Sequence, residues 1–212
     1  MRKNLENGKM AELFEKAKWG TALADDEVSF LREQLHAINT CDWKQNSTIK
    51  LHLGILSFGL CVEPNQHNKE LIEKFINTDS FDDSIVASAI KVLCLHQYWN
   101  LAASYKDVLH GFIDWDNDMY EETRAAAINC MGDYLHTTQD KEEILYLLSK
   151  YDYAIKGSTN EDKSLIRLLY EAFQIILWGN KYPKERIICV WDMKVPKDIS
   201  SSVINRVRQM GG

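Results

Sequence analysis

Hydrophobic residues recur along most of this chain three and four positions apart, the spacing of amphipathic α-helices. Ile85, Ala89, Val92 and Leu93 form one such stripe. Short polar turns containing Asp, Asn and Ser separate the helical segments, and these residue types favour helix caps. With only 3 prolines and 10 glycines, the chain offers few of the tight turns of an all-β fold. The pattern therefore predicts an all-α protein.

The helical segments repeat every 36 to 38 residues. Copies begin at Glu70, Asp107 and Glu143, and a degenerate earlier copy covers residues 26–61. Matched pairs in the first two copies are Leu71 and Val108, Ile72 and Leu109, Phe75 and Phe112, Ile76 and Ile113, and Asp79 and Asp116. Each copy comprises a first helix, a turn and a second, more apolar helix. Repeats of this length predict stacked helix pairs that share one continuous core.

This pattern resembles HEAT repeats, whose second helix opens with an acid and then a V-R-x-x-A-A-x-A-L-like run. The segment from Glu122 to Ile128 is the best match, with Arg124 in the arginine position. The other copies lack that arginine, and the usual proline of the first helix is missing. The resemblance covers residues 26–180 and implies an α-solenoid of about four HEAT-like helix pairs. Armadillo-like or other helical pairs are the alternative.

The expected organisation is one helical-repeat domain over residues 1–212. Residues 1–25 form an N-terminal cap, residues 26–180 the repeats and residues 181–212 a C-terminal cap. An amphipathic helix is expected at 5–18. The apolar stretch within 183–193 fits either a final packing helix or a short strand, because periodicity does not distinguish the two.

Charge and hydropathy limit the classes of partner. The net charge is -6, and because residues 181–212 hold seven basic and three acidic side chains, the rest of the chain carries -10. An acidic body favours basic partners and repels nucleic acid. No apolar run approaches the roughly 18 residues of a membrane span, and the N-terminal residues lack the apolar segment of a secretory signal. The sequence therefore predicts a cytoplasmic protein that binds neither membranes nor nucleic acid.

No motif for catalysis, a cofactor or a metal is visible. The five cysteines are spread along the chain without a CxxC pair, which is typical of buried thiols in a reducing compartment. The run from Asp114 to Asp118 resembles the start of a calcium loop, but Met119 and Ala125 occupy the positions of the required glycine and glutamate. The chain also lacks a P-loop, a nucleophile elbow and metal-ligand histidine spacing. We therefore expect a protein that is not an enzyme.

Acidic side chains cluster between the two helices of each copy. Because equivalent turns of stacked repeats lie along one edge, these acids predict a continuous acidic ridge. Its members are Asp79, Asp82, Asp83, Asp114, Asp116, Asp118, Glu121 and Glu122, and the third copy continues it with Asp152, Glu161 and Asp162. Trp115 would be a hot spot within the ridge. The alternative is that one or two acids cap each helix and Trp115 fills a gap between repeats.

A second candidate surface comes from the less apolar stripes of the second helices, which line the concave side in HEAT-like proteins. Tyr98, His136 and Trp178 occupy equivalent helix ends, and Asp133 lies one turn before His136. Aromatic side chains in these positions suit partner binding, whereas burial under the connecting loops is the alternative.

The functional hypothesis is an inhibitory binding protein. The chain resembles the immunity proteins of bacterial toxin systems, including contact-dependent inhibition, which neutralise a cognate toxin that is often a basic nuclease. An adaptor subunit of a cytoplasmic complex would differ only in its partner. The enzyme alternative is a HEAT-like DNA glycosylase, which needs a basic concave groove. Here Lys91 and Arg167 would share that groove with Glu122, Asp133 and Glu171.

Overall fold

The computed structural model of the chain describes residues 7–38, 50–114, 120–157, 159–179 and 197–212. These residues form helices and turns without any strand, which confirms the all-α prediction. The α-helices are α1 (Asn7–Lys18), α2 (Asp25–Ala37), α3 (Leu51–Cys61), α4 (Gln66–Glu73), α5 (Asp83–Cys94), α6 (Lys106–Asp114), α7 (Glu121–Thr138), α8 (Lys141–Ala154), α9 (Asn160–Trp178) and α10 (Lys197–Gly211). Short 3₁₀ turns cover Lys74–Ile76 and Ala102–Ser104.

Polar side chains set where several helices begin. Asn65 accepts a hydrogen bond from the Asn68 amide at the start of α4, and Asp140 does the same for Glu142 at the start of α8. At α9, the Thr159 hydroxyl accepts from the Asp162 amide while the Asp162 carboxylate accepts from the Thr159 amide, which is a capping box. These caps satisfy amides that have no partner within their own helix.

The second helices of the predicted copies pack on one another in chain order. Helix α5 packs against α3 and α7, α7 packs against α9, and α1 packs against α3. Helices α2, α4, α6 and α8 each pack against the helix that follows them. Neighbouring helices cover α5 on several sides, and its residues Ile85–Ile90 and Val92–Cys94 are buried. This accounts for the apolar residues over most of its circumference. The core is a single cluster that runs from α1 to α10.

Helix α10 packs against α8 and α9 through Val203, Ile204 and Val207. The segment 183–193, for which the sequence allowed either a helix or a strand, lies outside the described residues. Asp152, predicted to lie in an acidic turn, is inside α8 instead, where its carboxylate pairs with Arg208 of α10 at 2.5 Å. The apolar pattern of α8 continues past Asp152 to the buried Ala154, and the helix therefore does not end at the acid.

Candidate protein-binding edge

The turn between α4 and α5 carries the first three predicted acids. Asp82 is the N-cap of α5, where its Oδ1 accepts from the Ile85 amide at 3.2 Å and from the Ser84 hydroxyl at 3.0 Å. Asp79 is exposed, and none of the described residues forms a hydrogen bond or ion pair with its carboxylate. The turn therefore contains one acid that caps a helix and one that faces solvent.

Asp83 connects α5 to α7. Its carboxylate accepts from the backbone amides of Glu122 and Thr123 and from the Thr123 hydroxyl, each at 2.7 Å. An acid of one copy thus caps the second helix of the next copy, where the positive end of the α7 dipole favours a negative charge. This contact places the first turns of α5 and α7 side by side.

Tyr120 holds the same junction from the side of α7. Its hydroxyl donates to the carbonyls of Thr78 at 2.6 Å and Phe81 at 2.9 Å. Partial burial raises the pKa of Tyr120, and the charges of Asp83, Asp82 and Asp79 raise it further. The negative charges of Asp79, Asp82 and Asp83 therefore all act on the Tyr120 hydroxyl.

Two contacts join the first turns of α7 and α9. The Ser164 hydroxyl donates to Glu121 at 2.7 Å, and Arg124 forms an ion pair with Glu161 at 2.9 Å. Arg124 also donates from its Nε to the carbonyl of Ile113 in α6. The first turns of α5, α7 and α9 therefore follow one another along an edge that we call the acidic edge, formed by Asp79, Asp82, Asp83, Glu121, Glu122, Glu161 and Asp162.

Asp114 lies at the end of α6, in the layer of first helices. Its Oδ1 accepts from the Tyr146 hydroxyl at 2.8 Å and pairs with Lys150 at 2.6 Å, and both partners belong to α8. Partial burial alone would raise the pKa of Asp114, but the hydrogen bonds from Lys150 and Tyr146 outweigh it and lower the pKa. Trp115, Asp116 and Asp118 lie outside the described residues.

Charged side chains of both signs line a cavity of about 570 Å³ between α6, α7, α8 and α9. Asp114 and Lys150 contribute from one side, and Arg124 and Glu161 from the other. Each of these four side chains belongs to one of the two ion pairs already described. The cavity is therefore mostly neutralised by its own lining.

The predicted residues of the second surface lie near the opposite ends of the same helices. Asp133 is only 5% exposed, and its carboxylate accepts from the backbone amide of His96 at 2.8 Å and contacts the His96 ring at 2.7 Å. Tyr98 lies in the turn after α5, beside Gly59 of α3, and burial raises its pKa. Asp133 and Tyr98 thus each connect one copy to a neighbouring copy.

His136 contacts the end of α9, and Trp178, the last residue of α9, contacts α10. The Nδ1 atom of His136 is 3.0 Å from the carbonyl of Ile176, so that the neutral ring donates when the proton is on Nδ1. The guanidinium of Arg206 lies 5.3 Å from the centre of the Trp178 ring. No ring contact joins Tyr98, His136 and Trp178 among the residues that the structure describes.

The sequence analysis did not pair Asp133 with His96 or Glu161 with Arg124. His96 lies 37 residues before Asp133, and Arg124 lies 37 residues before Glu161. A search for opposite charges one repeat length apart would have found both pairs. It would not have found Trp19, which is 76% exposed in the turn after α1 and donates to Glu15 at 3.2 Å. An exposed Trp in an isolated turn leaves no periodic signal.

Comparison with protein-family models, with curated proteins and with solved structures gives no significant match. Within the described ranges, no three His, Cys, Asp or Glu side chains are grouped so that they could hold a metal ion. None of the described helices is both long and apolar enough to cross a membrane.

Proposed function

We propose that this protein is an α-solenoid of about four HEAT-like helix pairs that binds and neutralises a basic protein. The class of partner that fits best is a toxin domain, which would make the chain an immunity protein of a bacterial toxin system. The pairs are α2 with α3, α4 with α5, α6 with α7, and α8 with α9, flanked by α1 and α10. Hydrogen bonds between residues 37 to 40 apart, such as those of His96, Arg124 and Asp83, support this repeat register.

The observation that carries the proposal is the acidic edge at the first turns of α5, α7 and α9. Most of its acids accept hydrogen bonds from neighbouring residues, which fixes their positions. Asp79 and Glu122 are exposed, and neither carboxylate has a partner among the described residues. Fixed and free acids in one line form a preorganised negative surface, which attracts a basic protein and orients it before contact.

The mechanism is electrostatic steering followed by occlusion of the partner's active site. Because the acids lie at the surface, salt screens them over a distance of roughly 8–10 Å at physiological ionic strength. Added salt therefore lowers the association rate more than it raises the dissociation rate. The same negative surface opposes binding of duplex DNA, which disfavours a glycosylase.

The test is co-expression with the products of the neighbouring genes, scored by rescue of growth, followed by measurement of binding kinetics for the rescued toxin. Glu122→Lys combined with Asp79→Lys should lower the association rate constant about tenfold or more, since each change reverses an exposed charge. The matched control is Glu142→Lys combined with Asp107→Lys. These control acids are also exposed and occupy first turns, but of α8 and α6.

Equal association rates for the two double variants would show that the acidic edge does not steer the partner. Failure of every neighbouring gene product to inhibit growth would refute the toxin assignment while leaving an adaptor role intact. Tight binding of a duplex DNA probe at low salt would refute the proposal as a whole and favour the glycosylase.

A further inference from the structure

The cavity between α6, α7, α8 and α9 has an aromatic wall that faces solvent. Among the described residues, four large apolar side chains are exposed, and Tyr153 in the last turn of α8, at 75% exposure, is one of the two most exposed. Tyr153 lines the cavity together with Ile113 and Leu165, which supply its apolar part. An exposed aromatic ring beside an apolar concavity is typical of the anchor points at which proteins bind a partner's side chain.

Backbone contacts fix the end of α8 against the start of α9. The amide of Lys156 donates to the carbonyl of Tyr153 at 3.1 Å, and the amide of Gly157 donates to the carbonyl of Ala154 at 3.0 Å. Gly157 passes so close to α9 that a Cβ atom there would collide with the Asp162 carboxylate. The wall formed by Tyr153 is therefore held in place before a ligand arrives, which lowers the entropy cost of binding.

The charged side chains of the cavity balance one another. Its described lining has three basic and three acidic side chains: Arg124, Lys150, Lys156, Asp114, Glu161 and Asp162. Four of these six form the two ion pairs already described. A charged guest would compete with these pairs for little net gain, because the lining as a whole is neutral. An uncharged side chain leaves the pairs intact and buries its surface against the apolar part of the cavity.

The cavity is continuous with the acidic edge. Glu161 and Asp162 belong to both, and Ser164, which precedes the cavity residue Leu165, donates to Glu121 of the edge at 2.7 Å. Basic residues on either side of an apolar side chain in the cavity would therefore lie within reach of the edge. Charge complementarity thus favours one kind of occupant, an apolar residue flanked by bases on the surface of a basic protein.

We propose that this cavity binds an aromatic side chain of the basic partner, with flanking lysine or arginine residues on the acidic edge. The Tyr153 ring packs against the inserted ring in an offset or edge-to-face arrangement. The acidic edge then controls the association rate, and the cavity controls the dissociation rate. The inference rests on the proposed function for the identity of the partner, but the chemistry that the cavity accepts can be measured without that partner.

The test is an NMR titration of the full chain with two capped synthetic peptides, Lys-Lys-Trp-Lys-Lys and Lys-Lys-Ala-Lys-Lys. Both should shift the amide signals of the acidic edge, whereas only the tryptophan peptide should shift the Tyr153 ring and the methyl groups of Ile113 and Leu165. The tryptophan peptide should also bind about threefold to tenfold more tightly, the gain that one aromatic pair provides. Equal affinities without a shift at Tyr153 would overturn the proposal.

Tyr153→Ala should abolish the difference in affinity between the two peptides, and Tyr153→Phe, which keeps the ring, should retain it. Because the side chain is mostly exposed, both variants should keep the fold, which the urea midpoint checks. Ile155→Ala is the matched control and should leave both affinities unchanged. Ile155 is also exposed at this end of α8 but is not one of the described residues that line the cavity. A difference that survives Tyr153→Ala would contradict the proposal.

The toxin identified by rescue of growth serves as the second probe. Tyr153→Ala should raise its dissociation rate constant about tenfold and change its association rate constant little, the opposite of the double variant at the acidic edge. If the tryptophan peptide binds as expected but no toxin is found, the cavity proposal stands and the toxin assignment fails. If a toxin binds and Tyr153→Ala leaves its dissociation rate unchanged, the toxin assignment stands and the cavity proposal fails.

Discussion

At the scale of single residues, Asp83 has a role that its own helix does not explain. It lies in the first turn of α5, yet its carboxylate binds two amides and a hydroxyl of α7. The acid therefore caps a helix that begins 38 residues later in the chain. Its effect on stability comes from the contact between copies as well as from the charge that it adds to the acidic edge.

Asp83→Ala should lower the free energy of unfolding by about 1–2 kcal/mol, the range for loss of a helix cap. Urea denaturation measures the change. Asp79→Ala is the control at the same edge and should stay within about 0.5 kcal/mol, because its carboxylate has no partner among the described residues. Equal losses for the two variants would contradict a capping role for Asp83.

At the scale of helices, the close approach of α3 and α5 depends on Gly59. A Cβ atom at this position would lie 2.6 Å from both methyl groups of Val92 and 3.1 Å from the Tyr98 ring. Both methyl groups belong to a buried side chain, which has little room to move. A side chain at position 59 would therefore force the two helices apart.

Gly59→Ala should destabilise the protein by about 1–3 kcal/mol, as overpacking does, although alanine favours a helix more than glycine does. Thermal and urea unfolding test this. Gly111→Ala is the matched control in α6, where a Cβ atom would meet nothing within 4 Å, and it should be neutral or stabilising by up to about 1 kcal/mol.

A double variant separates packing from other causes. Val92→Ala removes the two methyl groups, so Gly59→Ala should cost less in that background than in the natural protein. If the cost of Gly59→Ala is the same in both backgrounds, the two side chains are not coupled and the close packing of α3 and α5 has a different origin.

At the scale of the whole molecule, lowering the pH reduces the stability of the fold by protonating two kinds of side chain, histidines and a carboxylate. Burial is the leading cause that lowers the pKa of His36 and His52 below the ordinary value of 6.5. A hydrogen bond from Lys106 is the leading cause that lowers the pKa of Asp140 below 3.8. In each case the unfolded chain takes up a proton at a higher pH than the folded chain does.

Stability should therefore fall in two stages as the pH is lowered. The contribution of the histidines is complete above pH 6.5 and is lost as the pH falls through their lowered pKa values. The contribution of Asp140 is complete above pH 3.8 and is lost below it. Urea midpoints between about pH 8 and about pH 3, in buffers without phosphate, measure both stages.

His36→Gln combined with His52→Gln should reduce the first stage and leave the second, while Asp140→Asn should do the reverse. Since Asp140 also caps α8, its variant should be less stable at neutral pH as well. A first stage of the same size in the double histidine variant would assign it to groups other than His36 and His52.

Much of the fold could be predicted from local patterns. The stripe of Ile85, Ala89, Val92 and Leu93 indicated a helix, and α5 contains it within the bounds set by the Asp82 cap. The resemblance between segments about 37 residues apart predicts which helices are equivalent, and that repeat assignment stays a prediction. Local sequence did not indicate the partner of Asp152, because Arg208 belongs to α10, 56 residues later in the chain.

What the sequence by itself determined is the helical class, the order of the helices from α1 to α9 and the acidic character of the turns, because helix periodicity and capping depend on neighbours within a few residues. Tertiary structure decided which acids are bound and which are free. Asp133 and Asp83 are bound because residues of adjacent copies pack against them, whereas Asp79 and Glu122 face solvent. Such partners come from helices tens of residues away, and their distance is set by how the helices pack, which the local pattern does not contain.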